Sequence, residues 1–435
     1  MVKVAKVVLW GEFVGALAYD KNQQAATFEY APDWIKRGVE ISPIRMPLSI
    51  SRHSFPSLSN DTYKGLPSVF ADTLPDDFGN AVINAWLAQN GRDVDSFTPI
   101  ERLLYIGNRG VGALEYEPAI EKGKSRHEKL ELSSLLEMAQ RILDQRAGLV
   151  EYIEQKNDNA KAMQAIFQVG TSAGGARAKA LIAINQSRNE IRSGQADAPK
   201  GFEHYLLKFD GVVEHKHSSQ LFGDPQGFGR MEYAYYLMAK DAGINMSPSE
   251  LLIEGERAHF MTKRFDRDGN DKKHYVSLCA MDHADYKKPG AYSYEELMGV
   301  ARSLKLSREE AIEIFRRMVF NVVARNQDDH SKNVGFILPS INAKWELAPA
   351  FDVAYSYRPN SEWVQYHQLS INGKRDNFLR DDLLSVASLI GNFKAEANSI
   401  IDKVVDVVSD WPRYAREANV FPEVEKLIKG NHRKL

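Results

Sequence analysis

The chain has 435 residues, 43% hydrophobic and 26% charged, with a formal net charge of -2. This is the composition of a soluble globular protein of two or three domains or subdomains, and it excludes binding to nucleic acid or anionic membrane through bulk positive charge. A single cysteine, Cys279, excludes an intrachain disulfide and a thiolate metal site, and reads as a free buried thiol in a reducing cytoplasm.

In chain order, "MVKVAKVVLWGEF" is broken by Lys6 and Glu12, unlike the apolar stretch of a signal peptide. No later window approaches the roughly eighteen uninterrupted apolar residues of a membrane-spanning helix. "KVVLWGEFVGALAYD" and "QAATFEYA" alternate and carry β-branched and aromatic residues, which predicts strands joined by turns. A helix is expected after Pro75, stopping near Gly91. "GNRGVGAL", residues 107–114, reads as a turn before a strand, with a phosphate loop as the alternative. Residues 1–120 thus read as a mixed α/β unit.

Polar helical sequence follows from about Lys122 to Ala160, opening on a charged linker, "EKGKSRHEK". A second glycine-rich stretch, "VGTSAGGARAKALIAI", runs from Val169 into a strand, and "HYLLKFD" is the next strand. "RMEYAYYLMAKDAGI" places Met231, Tyr235, Met238 and Ala242 on one helical face. "AHFMTKRFDRDG" reads as a strand entering a turn. Ser307 and Glu310 form a capping box, and Ile312, Phe315, Val319, Val322 and Val323 follow at helical spacing. This helix runs straight into "NQDDHSKN", residues 326–333. "VGFIL", "PSIN" and "KWELA" then predict a hairpin, followed by "PAFDVAYS". The last hundred residues read as amphipathic helices, ending in a solvated basic tail, "KGNHRKL".

The polar run between two apolar segments carries the chemistry. Phosphoryl transfer needs a carboxylate to orient or deprotonate a hydroxyl, oxygen ligands for Mg²⁺, a lysine on phosphate oxygens and a backbone-rich loop. Asp328 and Asn333 stand five positions apart, the kinase spacing of catalytic base and metal ligand. Asp352 follows the hairpin, where a second metal ligand is expected. A helix C-terminus disfavours carboxylates, so two of them need a reason beyond loop polarity. Asp329 and Lys332 are read equally well as solvated loop residues. His330 either hydrogen-bonds the loop, positioning Asp328, or contacts phosphate. Lys208 lies mid-strand among apolar residues, where an unpaired ammonium is costly. It either faces solvent or meets an anion, and Glu232 on the next helix is the candidate partner.

With these pieces in place, the sequence resembles the HipA family of serine/threonine kinases, the toxins of HipA–HipB toxin–antitoxin systems. The resemblance rests on "LPDDFGN", "GNRGVGAL", the serine- and glycine-containing loop, "LLKFD", "KRFDR", "QDDHSKN" and "APAFD". It implies an α/β, kinase-like two-lobed fold with an extra N-terminal domain over 1–120. Linker helices and a kinase N-lobe would occupy 121–265, and a mostly helical C-lobe 266–435.

The resemblance further implies Asp328 as catalytic base, and Asn333 and Asp352 on Mg²⁺. Gly174, Gly175, Ala176, Arg177, Ala178 and Lys179 would form the ATP-covering loop. Lys208, His330, Ser331, Lys332, Phe351 and the segment Lys263, Arg264, Phe265 would surround ATP. Members often carry an acid where Lys263 stands, so adenine contacts there would come from backbone. Ser172 would be the autophosphorylation site, with a plain turn serine as the alternative. Implied partners are a HipB-like DNA-binding antitoxin, operator DNA reached mainly through it, and an aminoacyl-tRNA synthetase as protein substrate, with no membrane. Two other readings remain open: a small-molecule or phosphatidylinositol-like lipid kinase, since D-x-H-x-x-N is shared with lipid kinases, and a non-catalytic corepressor.

Overall fold

The computed structural model describes residues 3–75, 77–94, 96–119, 129–144, 177–195, 197–213 and 223–435. Strands β1 (Lys3–Leu9), β2 (Glu12–Asp20) and β3 (Ala25–Tyr30), with β4 (His53–Ser54) and β5 (Leu114–Glu117), form an antiparallel sheet in the order β4-β3-β2-β1-β5. Alternation does the work here. Ala5, Val7 and Leu9 point into the core, whereas Val4 and Lys6 face out. The expected helix after Pro75 spans Asp77–Gln89. A second, Pro99–Ile106, starts at a Thr98–Glu101 capping box.

A second antiparallel sheet holds β6 (Lys179–Asn185), β7 (Ile191–Ser193) and β8 (Phe202–Lys208). After the ribbon of β9 (Val212–Val213) and β10 (Gly223–Asp224), it is completed by β11 (Ser249–Glu254) and β12 (Arg257–Lys263), in the order β11-β12-β8-β6-β7. The helix Phe228–Asp241 crosses between β8 and β11 in sequence. It lies so close to β12 that a Cβ on Gly229 would collide with the Ala258 carbonyl. A two-strand ribbon, β13 (Arg267–Asp268) and β14 (Asp271–Lys272), leads to β15 (His274–Ser277). β15 pairs with β16 (Gly335–Leu338), and β16 with β17 (Glu346–Leu347), the expected hairpin.

The rest is helical. Arg308–Val323 is capped by Ser307 and Glu310 as expected, and buries Ile312, Phe315, Val319, Val322 and Val323. The cores do not follow the chain's linear order. The first sheet shares one continuous core with the C-terminal helices, from Val7 and Phe28 to Phe315 and Trp411. The helices Asp77–Gln89 and Leu132–Asp144 pack instead on the second sheet, where Phe78, Val82 and Leu135 meet Ile182 and Leu207. Cys279 is a buried free thiol, as expected.

One expectation is overturned. "KGNHRKL" is no solvated tail: the final helix, Pro422–Asn431, includes its start. The Arg433 backbone N–H donates to the Val323 carbonyl at 3.0 Å, and its guanidinium pairs with Asp376. Tyr235 and His432 also meet, 3.1 Å from hydroxyl to ring nitrogen. Among the described residues no helix is long and apolar enough to cross a membrane.

Candidate active site

The site forms where the second sheet, the helix Phe228–Asp241 and the loop after Arg308–Val323 converge. Register comes first. β6 and β8 pair so that Lys179 stands directly opposite Lys208. Opposed cross-strand residues share a face, so two buried like charges are placed side by side, an arrangement that is destabilising without counter-charge. Counter-charge is supplied. The Lys208 ammonium donates to Glu232 on the crossing helix and to Asp352 Oδ1 at 2.5 Å. Arg177 Nη1 lies 3.5 Å from the other Glu232 oxygen. Lys208 is therefore turned inward onto carboxylates, and the solvent-facing alternative falls away.

The electrostatics divide the two acids. Burial raises Glu232, against the pull of Lys208 and Arg177. Burial would raise Asp352 too, but Lys208, Lys179 and Arg177 hold it well below the ordinary carboxylate range. Lys208 is itself raised: burial opposes its charge, and Asp352 and Glu232 outweigh burial. The acid kept ionised is also the more exposed of the two. Asp352 adopts a left-handed φ of 52°, a conformation that costs a residue with a Cβ and clusters at functional sites.

The loop 326–333 lies beside the segment that carries Asp352: Asn333 lines one pocket with Phe351 and Val353. Asp328 keeps its carboxylate 43% exposed, with His330 Nε2 3.7 Å from Oδ1. Its backbone is fixed at both ends: its N–H donates to Ser356 Oγ at 2.9 Å, and its carbonyl accepts from Asn333 Nδ2 at 2.8 Å. The Asn333 nitrogen is thus committed, which leaves the amide oxygen as its ligand atom. His330 packs on the Tyr286 ring at 5.5 Å, and the Lys332 ammonium lies 5.1 Å from that ring.

Asn333 and Asp352 offer oxygen donors alone. Among the described residues, no group of three or more His, Cys, Asp or Glu side chains could hold a metal ion. That donor set fits Mg²⁺, which takes one or two carboxylates from protein and fills its octahedron with phosphate and water oxygens.

Other expected residues are placed differently. Ser331 turns inward, its hydroxyl donating to the Ala284 carbonyl, so its side chain is not presented to a ligand. Arg264 is also buried: Nε and Nη2 reach Asp266 at 2.9 and 2.7 Å. The next residue, Phe265, packs at 5.6 Å on Phe351, and Tyr275 joins the pair. Lys263 pairs with Glu203 at the surface. Ala178 is buried, and its carbonyl accepts from Phe209 N–H at 3.0 Å. Ser172, Gly174, Gly175 and Ala176 lie outside the described residues.

Asp329 is the clearest departure. Its carboxylate is 1% exposed and fully hydrogen-bonded, not a solvated loop residue. Tyr275, Tyr286, Ser356 and His367 all bear on the site and escaped the sequence reading. Ser356 stood in "PAFDVAYS", whereas Tyr275, Tyr286 and His367 are remote from the loop in sequence.

Known proteins match this chain along most of its length. Residues 5–117 match the HipA N-terminal domain, and residues 171–411 match the HipA-like C-terminal domain. A Haemophilus influenzae protein named "Putative kinase" is 27% identical over 238 residues, 47% of this chain and 68% of that protein. A chain of the Shewanella oneidensis MR-1 toxin–antitoxin complex of HipA, HipB and operator DNA superposes with a TM-score of 0.65. It is 16% identical and covers 98% of this chain and 94% of that one. The Helicobacter pylori proinflammatory kinase CtkA overlaps 52% of this chain and 90% of its own at 14% identity, with a TM-score of 0.32, too loose to argue from. The fold is mixed α/β and kinase-like, and the C-terminal match alone spans more than half of the sequence: this chain belongs to the HipA family.

Proposed function

We propose that this chain is an ATP-dependent serine/threonine protein kinase, acting as the toxin of a toxin–antitoxin system. The observation that carries the reading is the buried Lys208 ammonium held between Glu232 and an ionised Asp352. Kinases place a strand lysine, a helix glutamate and a metal-binding aspartate in this relation. Lys179 and Arg177 add positive charge beside Asp352, as suits a site for phosphate oxygens.

In this mechanism Lys208 orients the phosphates of ATP, covered by residues 174–179. Mg²⁺ held by Asn333 and Asp352 would neutralise charge on the transferring group. Asp328 accepts the proton of the acceptor hydroxyl, and the two hydrogen bonds on its backbone aim its exposed carboxylate. Lys263–Phe265 borders the adenine through backbone. The chain divides as 1–120, 121–265 and 266–435, the last two as kinase lobes. The partners are a HipB-like antitoxin, operator DNA through it, and a translation factor such as an aminoacyl-tRNA synthetase. Phosphorylation of Ser172 adds roughly -1.5 to -2 charge to the ATP-covering loop and silences the enzyme by competing for the phosphate site.

Incubation with γ-labelled ATP, Mg²⁺ and cell lysate tests this. Label is expected in protein, and it is expected to vanish with Asp328→Ala. Label confined to lipid extract, or undiminished by Asp328→Ala, overturns the reading. Intact-mass analysis of the same protein after incubation is expected to show one phosphate, at Ser172.

A further inference from the structure

Asp329 has no part in the proposed chemistry, yet it is the most enclosed acid of the loop. Its Oδ1 accepts the Gln368 backbone N–H at 2.8 Å. Its Oδ2 accepts the Tyr294 hydroxyl at 2.9 Å and lies 2.9 Å from His367 Nδ1. The His367 side chain is 0% exposed, and Nε2 is buried without a hydrogen-bond partner. Facing a carboxylate, the ring donates from Nδ1, and among the described residues this is the one polar contact its two nitrogens make. An unpaired carboxylate in this place would be severely costly; three donors from two distant segments remove that cost.

The geometry reaches further. Tyr294 Oη accepts from Asn321 Nδ2 at 3.0 Å, and Asn321 Oδ1 accepts from Asn326 Nδ2 at 2.9 Å. Ser356 Oγ donates to Asn326 Oδ1 at 3.3 Å and accepts the Asp328 N–H at 2.9 Å. A chain of hydrogen bonds thus runs from His367 through Asp329, Tyr294, Asn321, Asn326 and Ser356 to the backbone of Asp328, and the Asp328–Asp329 peptide bond closes the circuit. His367 and Gln368 belong to the irregular segment 353–379, which begins directly after Asp352. Gln327 Nε2 adds a second strut to that segment, at the Gln365 carbonyl.

We infer that the buried Asp329–His367 contact is a positioning joint, which ties the segment after Asp352 to the backbone of Asp328 and so sets the aim of its carboxylate. The inference rests on the reading of Asp328 as the base. A joint of this kind governs the transfer step and leaves ATP binding alone, because Lys208, Glu232 and Asp352 lie outside the circuit. Asp329 and His367 are positioning residues, since their side chains are 1% and 0% exposed.

His367→Phe keeps a ring and removes the donor. His367→Asn returns an amide N–H to the place of Nδ1. The expected result is a ten- to hundredfold loss of kcat in His367→Phe with KM for ATP within twofold, and recovery of most of that loss in His367→Asn. Tyr294→Phe, which removes one donor and keeps the ring, is expected to show the same split more weakly, and serves if His367→Phe does not fold. Unchanged kcat in both ring variants overturns the inference, as does a loss of ATP affinity parallel to the loss of kcat. Asp328→Asn run alongside separates the failures. Turnover by that variant removes the base assignment and the joint with it. An inactive Asp328→Asn beside a fully active His367→Phe removes the joint alone.

Discussion

Two buried ion clusters flank the second sheet, built from the same kinds of groups and put to different use. In one, Asp266 sits between Arg264 and Arg267 and also accepts the Gly112 N–H at 2.7 Å. The surplus guanidinium donors are spent on backbone carbonyls of Gly110, Gly112 and Gly194. That cluster is closed, and it clasps the turn "GNRGVGAL" of the first domain to the second sheet. In the other, Lys208, Lys179 and Arg177 surround Glu232 and Asp352, one acid is partly exposed, and its backbone is held left-handed. The closed cluster satisfies every strong donor it can and gains rigidity. The open one retains charge and strain, which is what a ligand can exploit.

Variants in the two clusters should therefore fail in different ways. Asp352→Asn is expected to lower phosphoryl transfer on the order of a thousandfold. Its melting temperature should fall by less than that of Asp266→Ala, because asparagine tolerates the left-handed φ and Glu232 still pairs with Lys208. A collapsed melt would make the open cluster structural and erase the contrast. Asp266→Ala should do the reverse. It strands two buried guanidiniums and is expected to cost about 3–5 kcal/mol in denaturant unfolding, with turnover per folded molecule retained.

Acid should loosen the clasped side as well. His274 is buried, with its Nε2 2.8 Å from the Ile41 carbonyl of the first domain. Burial lowers it to about 4, against the opposing pull of that carbonyl. The unfolded chain takes up the proton first as pH falls. Stability from this group is therefore whole above about 6.5 and drains toward pH 4, by about 1.4 kcal/mol per pH unit at the steepest. Melts at pH 7 and pH 5 should differ, and His274→Asn should narrow the gap. The smallest effect is expected at the rim. Lys263 pairs with Glu203 through half-exposed side chains, and Lys263→Ala should cost less than about 1 kcal/mol and leave KM for ATP unchanged.

Local patterns carried most of the architecture. Alternation placed β1 to β3, a capping box placed the start of Arg308–Val323, and the five-residue step from Asp328 to Asn333 placed the loop. Lys208 was legible because an ammonium mid-strand demands an anion, and Glu232 was its nearest plausible partner on the next helix. What stayed hidden was settled by partners distant in sequence. Asp329 looked solvated because Tyr294 and His367 lie 35 and 38 positions away. "KRFDR" hid its packing: Arg264 and Arg267 are committed to Asp266 and to carbonyls of Gly110, Gly112 and Gly194, and Lys263 to Glu203. The tail "KGNHRKL" was polar enough to read as solvated, but Asp376 and the Val323 carbonyl bury Arg433. Polarity in a sequence states what a group needs, not whether water or protein supplies it.

The left-handed backbone at Asp352 has one further consequence. Glycine is at ease with that φ, so aspartate stands there at a backbone cost that its charge beside Lys208, Lys179 and Arg177 offsets. The backbone at this position favours glycine or asparagine, while the cations beside it and the proposed chemistry both favour the acid. Relatives carrying asparagine or glycine there should keep the backbone turn and lose phosphoryl transfer.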